Sequence, residues 1–594
     1  MTVDKNLVKR RPSPALYLTV FGLWLASVAW FHERLWGLMD FVDTAFGFAA
    51  VAFFVAFTYV AWLYAFYNVA IIAYAIIYRR YFRQPYLNEA RLPPSPPAVA
   101  ILYTTCNDFD EASVRSCLAQ DYPDFRVYIL DDSSDAQIRD SIDRFARIDP
   151  ARVQVVRRAD RRGYKAGNIN HGLATAATRE PYFALVDADE LLPPDFLSRL
   201  VPRMLADERC GFVQAIHRGN PGDASPLARA LGVGIDVHWR WYHPLRNHFG
   251  FVMLLGHGAL LRRQPWEDVG GFPHLVSEDL AYALRIRENG WHGVFAEDVV
   301  CFENFPPDMR AFRVRHMKWT RGTCEFLYRK MRYLLGSPHV PWVEKIDILF
   351  PTLGLPLSLF FFVFVLDVNV ALPALFGREH LLTLALGTRE LVFPVMTLDG
   401  RFGSVTGFDF YAITVLALTA PVLSFLIEMW RTPRRLLEFL SHSVAVYGAL
   451  GPVSCIGVVC FSLTRQAVFH VTADRTRASL AGTLASGLAP LESLFPAVRR
   501  FLVRSHPDHP AVQAIEVALG AFFVLVALRT FQVSFLGLAL AYLLHPLMHH
   551  LPWESRFLRV AIHVPAVLMI GGLGLGTLSL IGIQPVFLNF GVHF

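Results

Sequence analysis

The sequence is poor in charged residues and in cysteine. Only 18% of its 594 residues are Asp, Glu, Lys or Arg, whereas 54% are hydrophobic. A chain this apolar is atypical of a soluble enzyme and indicates several membrane-spanning segments. The net charge of +6 is small for this length and gives no indication of nucleic-acid binding. The seven cysteines show neither CxxC nor zinc-site spacing, which excludes a disulfide framework and favours reduced thiols.

Long apolar runs occupy both ends of the chain. Residues 15–31 and 45–78 form the first two, and no small-residue cleavage site follows the first, so we expect no cleavable signal. The second run exceeds the hydrocarbon core, so it is tilted, projects from the membrane, or contains two spans. Basic clusters at residues 9–11 and 79–83 flank the pair, which predicts that both ends and the following domain are cytoplasmic.

Apolar character returns after residue 333. Predicted spans cover residues 343–366, 408–430, 514–528, 531–547 and 558–583. The first two of these enclose a loop of about forty residues, which parity places on the far side of the membrane. Residues 436–462 are apolar but broken by glycines and Pro452, so they form either a span or an interfacial segment. Taking them as interfacial gives about seven spans in all.

Between these ends, the sequence has the alternation of a soluble α/β domain. Predicted strands cover residues 99–103, 127–130, 153–156 and 182–186, and predicted helices cover residues 111–120, 136–147 and 167–177. Strands that alternate with helices indicate a parallel sheet covered on both faces. We therefore divide the chain into N-terminal membrane helices (1–97), a catalytic domain (98–332) and a C-terminal membrane region (333–594).

Acidic residues stand where two predicted strands end. Asp131 and Asp132 follow one strand, and Asp187 and Asp189 follow another. Ligands of open α/β sheets bind at the carboxyl ends of strands, and paired carboxylates suit Mg²⁺ or Mn²⁺ carrying a diphosphate. An isolated Asp-x-Asp triplet is also a common strand-closing turn. Lys165, in a glycine-bounded segment between the two acidic pairs, favours phosphate binding, although the segment alone also fits a plain loop.

Several motifs together, in order and spacing, resemble those of a known enzyme family. The series Asp131-Asp132-Ser133, Lys165-Ala166-Gly167-Asn168, Asp187-Ala188-Asp189 and Ser277-Glu278-Asp279 resembles a family 2 glycosyltransferase. Arg315-His316-Met317-Lys318-Trp319 resembles the QxxRW box of processive members, and Phe469-His470-Val471-Thr472 resembles the FxVT gating loop of bacterial cellulose synthase catalytic subunits. The resemblance implies a GT-A glycosyltransferase domain, a Rossmann-like mixed sheet, inserted in an α-helical transmembrane bundle that forms a channel.

The sequence also departs from the cellulose synthase pattern. Arg315 replaces the usual Gln of the box, and Lys318 replaces its Arg. His257 lies in a Leu-Gly-His sequence where Cys-Gly-Ser is familiar, and Asp474 replaces a gating-loop Lys. We expect no PilZ-like domain, because the sequence after about residue 512 is again mostly apolar. A curdlan-like or mixed-linkage glucan is therefore as compatible with the sequence as cellulose.

The resemblance assigns roles to individual residues. Asp279 is the expected general base, with ordinary acidic capping of a helix as the alternative. Contacts to the UDP-sugar are expected from Asp108, Asp131, Asp132, Lys165, Asp187, Glu278, Arg315, Lys318 and Thr472. Asp187 and Asp189 are the expected ligands of Mg²⁺ (or Mn²⁺).

Acceptor and gating roles complete the set. Trp319 and His257 are expected to contact the acceptor, although Trp319 also suits a lipid headgroup interface. Trp239 and Trp241 belong either to the acceptor path or to the core. Phe469, Val471 and Thr472 form the expected gating loop.

The function predicted from the sequence is a processive, inverting glycosyltransferase of the bacterial inner membrane. It polymerises a β-glucan from UDP-glucose and exports the polymer, because a polar chain needs a protein-lined path across hydrocarbon. Its partners are the UDP-sugar donor, the growing glycan and membrane lipids, with room for periplasmic or regulatory subunits. The alternatives are a non-processive enzyme that glycosylates a lipid carrier, a synthase that uses another UDP-sugar, and a transporter or scaffold with an inactive domain.

Overall fold

The computed structural model describes most of the chain. The described residues are 11–83, 92–223, 225–386, 389–398, 405, 407–465, 467, 510–530, 532–551, 553 and 555–580. They form two compact units. One is built around Ala73–Leu355, and the other contains Leu16–Ile72, Pro356–Ile456 and the described helices beyond residue 510. The gating-loop residues Phe469, Val471 and Thr472 lie outside the described residues.

Two long helices begin the chain, α1 (Ala15–Trp36) and α2 (Ala45–Ile77). The sequence of α2 contains no proline and no charged residue, so nothing interrupts its backbone hydrogen bonds. It forms one continuous helix of 33 residues, about 50 Å long at the usual rise per residue. Of the three alternatives for this run, two separate spans is excluded, and a single long span that is tilted or projects from the membrane remains.

The next part of the chain folds around an eight-stranded sheet. Its strands are β1 (Val99–Thr105), β2 (Phe125–Asp131), β3 (Val153–Val156), β4 (Tyr182–Asp187), β5 (Glu190–Leu191), β6 (Cys210–Gly219), β7 (Ala259–Arg262) and β8 (His292–Glu303). They are ordered β3-β2-β1-β4-β7-β6-β8-β5. The first four are parallel, as predicted, but β7 runs antiparallel to both neighbours and β5 antiparallel to β8. The sheet is therefore mixed, as the resemblance implied, and the parallel arrangement that the alternation indicated holds for its first four strands.

Nine helices of this region have described bounds. They are α3 (Glu111–Leu118), α4 (Ala136–Ala146), α5 (Tyr164–Thr175), α6 (Phe196–Leu205), α7 (Pro226–Tyr242), α8 (Arg246–Phe249), α9 (Arg263–Asp268), α10 (Glu278–Glu288) and α11 (Met309–Gly336). Aspartates cap α3 and α4, where Asp110 and Asp135 accept hydrogen bonds from backbone N–H groups of the first turn. Helix α5 begins three residues before the predicted start, because Gly163 adopts a φ of +75° and turns the chain into the helix.

Apolar layers cover both faces of the sheet and fix its strand ends. Every residue of β1 is buried, with Leu102 in one layer and Ile101 in the other, as the alternation of a strand requires. Strand pairing places Thr104 beside Asp187 and Thr105 beside Asp131. The acidic strand ends therefore meet at one edge of the sheet.

The C-terminal half is mostly helical. Its elements are α12 (Trp342–Leu366), α13 (Leu372–Phe376), β9 (Gly377–Leu386), β10 (Arg389–Leu398), α14 (Phe408–Thr419), α15 (Leu423–Met429), α16 (Pro433–Tyr447), α17 (Gly451–Thr464), α18 (Pro510–Thr530), α19 (Val533–His550), α20 (Arg556–Ala561) and α21 (His563–Leu580). The predicted loop after α12 contains the antiparallel pair β9–β10. Pro394 in the middle of β10 explains why the sequence did not indicate a strand.

Eight helical segments within the described residues have the length and hydropathy to cross a membrane. They are Ala15–Phe41, Ala45–Phe82, Trp342–Phe376, Phe408–Met429, Pro433–Thr464, Val512–Thr530, Val533–His550 and Arg556–Leu575. Seven correspond to predicted spans, and the eighth, Pro433–Thr464, was predicted to lie at the interface. Pro452 does not break this segment, because it falls in the first turn of α17, where no intrahelical N–H is required. The chain is thus a multi-pass membrane protein by length and composition.

Two buried ion pairs hold the first turns of α12 to the sheet domain. Arg246 Nε lies 3.0 Å from Asp347 Oδ2, and Arg287 Nε lies 2.6 Å from Glu344 Oε2. Asp347 Oδ2 also accepts a hydrogen bond from the backbone N–H of Phe251, at 2.7 Å. Asp347 therefore anchors the segment that leads to the Gly256–Gly258 loop described below.

Candidate active site

The ends of β1 and β4 hold the first carboxylates of the site in fixed positions. Thr104 Oγ1 donates a hydrogen bond to Asp187 Oδ1 at 2.8 Å. In the turn after β1, Asp108 accepts hydrogen bonds from Thr105 Oγ1 at 2.9 Å and from the Cys106 N–H at 2.6 Å. Burial raises the pKa of Asp108, and the Asp187 carboxylate raises it further. Asp108 and Asp187 are thus close enough to interact, and the nucleotide contact of Asp108 stays a prediction.

Lys165 brings positive charge to this edge. Its Nζ lies 2.5 Å from Asp187 Oδ1 and donates to the Gly256 carbonyl at 3.0 Å. Burial disfavours the ammonium, but Asp187 and then Glu278 outweigh that effect and raise the pKa of Lys165. Burial alone would raise the pKa of Asp187, yet Lys165 lowers it to about 2. Both groups are therefore charged at neutral pH.

Asp189, in the turn between β4 and β5, lies among other carboxylates. Burial, Glu303 and Asp187, in that order, raise the pKa of Asp189 to about 7. Such crowding of oxygen donors fits a divalent cation, because hard cations prefer carboxylate ligands and relieve their mutual repulsion. Asp187 and Asp189 are the residues that would hold Mg²⁺ or Mn²⁺.

The predicted base approaches from a different element. Asp279 lies in the first turn of α10 and accepts a hydrogen bond from the Leu280 N–H at 2.7 Å. A Cβ built at Gly256 would lie 3.2 Å from Asp279 Oδ2 and 3.6 Å from Lys165 Nζ, so base and lysine flank the same glycine. Burial raises the pKa of Asp279. Burial and the Asp279 carboxylate raise the pKa of Glu278 to about 8.

Helix α11 presents the residues of the predicted tryptophan box. The Arg315 guanidinium donates to Glu303 Oε1 at 2.6 Å and lies 4.5 Å from the centroid of the Trp319 ring. Burial and then Arg315 lower the pKa of Lys318, while Asp187 and Glu278 oppose them. Trp319 is 40% exposed, so its ring has a free face. A spacing of three and four residues puts all three side chains on one side of the helix.

The two acids predicted to contact uridine are paired with arginines. Arg157 Nε donates to Asp131 Oδ2 at 2.6 Å, and Arg158 holds Asp132 through two hydrogen bonds of 2.8 and 2.6 Å. Asp131 also accepts the Ser133 N–H at 2.8 Å. The sequence analysis missed both arginines, although they directly follow β3 and so stand at the same sheet edge. The nucleotide contacts of Asp131 and Asp132 stay predictions.

His257 lies in a more buried setting than an open acceptor groove. Its Nδ1 lies 3.4 Å from Glu190 Oε1, and its ring packs on His217 with centroids 4.0 Å apart. Burial would lower the pKa of His257, but Glu190 and other carboxylates raise it to about 9. Its contact with an acceptor stays a prediction. Trp239 and Trp241 are buried, which favours the core alternative.

Three acidic or histidine side chains near the site were missed by the sequence analysis. Glu190 directly follows Asp189, His217 lies near the end of β6, and Glu303 ends β8. The signal that could have found Glu303 is the one used for the aspartates, an acidic residue at the end of a strand. Glu190 and His217 had no comparable signal. The residues that they contact lie far away in the sequence, so no short motif contains both partners.

The sheet-containing part of the chain is similar in sequence to known enzymes. Residues 98–322 match the family described as "Glycosyltransferase like family 2". Similar curated proteins are probable glucomannan 4-beta-mannosyltransferases 11 and 6 of Oryza sativa subsp. japonica, at 26% and 29% identity over 44% and 37% of this chain. Glucomannan 4-beta-mannosyltransferase 1 of Cyamopsis tetragonoloba is 25% identical over 38% of this chain. These matches cover 48%, 39% and 44% of the relatives' own lengths.

Solved structures give weaker overall similarity. A mannosyltransferase from Pyrobaculum calidifontis, in complex with GDP-Man and Mn²⁺, has a TM-score of 0.42 and 18% identity, covering 64% of this chain and 99% of its own. S. aureus TarS 1-349 has a TM-score of 0.31 and 14% identity, covering 63% and 93%.

Residues 98–322 are thus similar to family 2 glycosyltransferases, and the sheet is mixed, as expected for a GT-A fold. The curated relatives cited above are named for mannosyl transfer, so the narrower resemblance to bacterial cellulose or curdlan synthases stays a prediction.

Proposed function

We propose that this protein is a membrane-integrated, inverting glycosyltransferase that adds hexoses from a nucleoside diphosphate sugar to a growing β-glycan and exports the polymer. The observation that carries the proposal is the convergence of opposite charges at one edge of the sheet. Lys165 bridges Asp187 and the Gly256 carbonyl, and Asp279 lies on the other side of that glycine. Together with the family match of the domain, this arrangement supports transfer of a glycosyl group from a diphosphate.

The site residues have two chemical roles: one accepts a proton from the acceptor, and the others stabilise the negative charge of the leaving group. Asp279 accepts the proton of the acceptor hydroxyl while that oxygen attacks the anomeric carbon, and the nucleoside diphosphate departs from the opposite face. Lys165, Lys318 and Arg315 stabilise the negative charge that develops on the leaving oxygen. A Mg²⁺ or Mn²⁺ ion, when held by Asp187 and Asp189, supplies further positive charge to the diphosphate.

Trp319 is the proposed platform for the acceptor. Its exposed face offers an apolar plane to the C–H face of a sugar, and the Arg315 guanidinium packs at 4.5 Å from its ring centroid, which limits how the indole can rotate. A fixed platform favours successive additions, because the new chain end must return to the same position before each transfer.

The donor hexose separates two versions of the proposal. The resemblance of the Arg315–Trp319 box and the gating loop to cellulose synthases favours UDP-glucose. The names of the curated relatives favour a mannosyl donor instead. Purified protein incubated in parallel with radiolabelled UDP-glucose and GDP-mannose, followed by linkage analysis of the product, decides between them.

The product of this assay shows whether the enzyme is processive, and a vesicle experiment tests on which side of the membrane the domain lies. A glucanase- or mannanase-sensitive polymer supports a synthase, and an organic-soluble glycolipid supports transfer of one sugar to a lipid carrier. Absence of nucleotide release with any donor in Mg²⁺ or Mn²⁺ would instead favour an inactive domain. Synthesis by inverted inner-membrane vesicles, supplied with donor from outside, tests the proposed cytoplasmic position of the domain.

The gating role of Phe469, Val471 and Thr472 remains part of the proposal. A lid that closes over bound nucleotide excludes water and completes the site. Phe469→Ala and Thr472→Ala should each reduce polymer yield strongly while leaving expression and membrane insertion unchanged.

A further inference from the structure

A buried cluster of metal-ligating side chains lies beside the donor site. Its innermost members are Glu190, His217 and Cys301, all of which are essentially inaccessible to solvent. They come from three strands of the same sheet, β5, β6 and β8. The strand register places His217 opposite Cys301 and Glu190 opposite Glu303, so the backbone pairing itself brings the side chains together.

The separations of their ligand atoms suit one shared ion. Glu190 Oε1 lies 3.3 Å from His217 Nε2 and 3.4 Å from His257 Nδ1. One ligand atom each from Glu190, His217 and Cys301 lie within 4.8 Å of one another, and so do those of His217, His257 and Glu303. Ligand atoms at the corners of a tetrahedral zinc site are about 3.3–3.8 Å apart, given bonds of about 2.0–2.3 Å.

The polar atoms at the centre of the cluster lack other partners. Glu190 Oε1, both ring nitrogens of His217 and Nδ1 of His257 are buried, and none forms a well-aligned hydrogen bond with a described residue beyond the close contacts given above. Buried polar groups are nearly always satisfied, so a buried group without such a bond calls for an explanation, and a bound ion is one. Several such atoms directed at one another make an ordinary hydrogen-bonded core an incomplete explanation.

The surroundings hold these ligands in position. The His217 ring is stacked on Trp239, with centroids 4.7 Å apart, and the tilted His257 ring lies 4.0 Å from it. The Gly258 N–H donates to Glu190 Oε2 at 3.0 Å, which orients the carboxylate and leaves Oε1 towards the histidine. A Cβ at Gly258, where φ is +55°, would lie 2.1 Å from His217 Nε2, so only glycine permits this approach. Outer contacts of this kind orient the ligands of protein metal sites.

We propose that Glu190, His217 and Cys301 bind a transition-metal ion of the Zn²⁺ class, with His257 as the fourth ligand. Imidazole and thiolate donors select zinc over magnesium or manganese, which prefer oxygen. The site is therefore distinct from the one that Asp187 and Asp189 would form for the donor diphosphate. A zinc site in which all four ligands come from the protein is structural. Here the ion would link β5, which begins directly after Asp189, to β6 and β8.

The test measures metal in the full-length, detergent-purified protein and does not depend on glycosyl transfer. After purification in Mg²⁺ buffer with a weak chelator, elemental analysis should find about one zinc ion per chain, the stoichiometry of a single structural site. Metal exchanged for Co²⁺ should give tetrahedral visible bands and a thiolate-to-cobalt charge-transfer band. Cys301→Ser should lose that band, and His217→Ala should lose the metal.

Two controls separate this site from other sources of metal. Cys210→Ser removes another buried thiol at the opposite end of β6 and should retain zinc and the cobalt spectrum. Asp189→Asn should also retain zinc, since it alters only the proposed diphosphate site. The proposal is overturned if wild-type protein holds no transition metal and takes up neither Zn²⁺ nor Co²⁺. Zinc retained in full by Cys301→Ser and His217→Ala also overturns it. The wild-type measurements decide the matter even if a ligand variant does not fold.

Discussion

Replacing Asp279 with Asn removes the proposed proton acceptor while keeping the size of the side chain and its contact with the Leu280 N–H. Loss of a general base typically reduces the rate by about 10²–10⁴-fold, which corresponds to about 2.7–5.5 kcal/mol of activation free energy. We expect the loss in kcat, because the nucleotide is held by other groups. Nucleotide release measured with a coupled assay gives kcat, and calorimetric titration with UDP and GDP gives the affinity.

The neighbouring carboxylate supplies a matched comparison. Burial and then Asp279 raise the pKa of Glu278 to about 8, which favours its protonated form at neutral pH and makes it the less suitable base. Glu278→Gln should therefore lose much less in kcat than Asp279→Asn and should act mainly on the KM of the donor. If Glu278→Gln is the inactive variant and Asp279→Asn turns over normally, the assignment of the base is wrong.

The pH dependence of the reaction gives an independent check on Asp279. A base acts when it is unprotonated, and burial raises the pKa of Asp279 above that of an ordinary aspartate. The rate should therefore fall as the pH decreases through that raised pKa, at a pH higher than an exposed aspartate would give. Asp279→Asn should lack this acidic limb. An unchanged acidic limb in the residual activity of the variant would refute the reasoning.

Three further predictions follow from other contacts. EDTA should abolish turnover, added Mg²⁺ or Mn²⁺ should restore it, and Asp189→Asn should stay inactive at high metal; full activity in EDTA contradicts the metal role. Gly256→Ala should cost about 1–2 kcal/mol of stability from its positive φ and should also lower kcat, because its Cβ would lie 3.2 Å from Asp279 Oδ2. Gly270→Ala is its control, since φ is also positive there but no atom lies within 4 Å; equal kcat losses in both would exclude a role for the contact. Asp347→Asn should destabilise the protein by about 3–5 kcal/mol, seen as a lower Tm, by removing the carboxylate charge that faces the buried Arg246 guanidinium; an unchanged Tm contradicts this.

The first half of the sheet could be predicted because its signals are local. In β1 and β4 an apolar run is buried on both faces and then ends in polar residues, so hydrophobicity alone marks the strand and its end. The direction of β7 could not be predicted in this way. Its four residues, Ala259–Arg262, pair between β4 and β6, and whether a short apolar run lies parallel or antiparallel depends on the connection that leads to it.

The residues of the candidate site also differ in whether a local sequence signal predicted them. Asp187, Asp189, Lys165 and Asp279 belong to motifs of a few residues, and the fold brings these motifs to one edge of the sheet. The charge partners Arg158 and Glu303 also stand at strand ends, but the sequence does not show which charged side chain each of them contacts.

The proposed metal site around His217 could not be predicted from the sequence. Cysteine spacing argued against a zinc site, and that argument holds for ligands supplied by one loop. Here Glu190, His217 and Cys301 come from separate strands, so their spacing along the chain carries no information, and only the register of β5, β6 and β8 brings them together. An ion at this position would fix the residue directly after Asp189. The geometry of the diphosphate site would then depend on a metal ion that takes no part in the transfer.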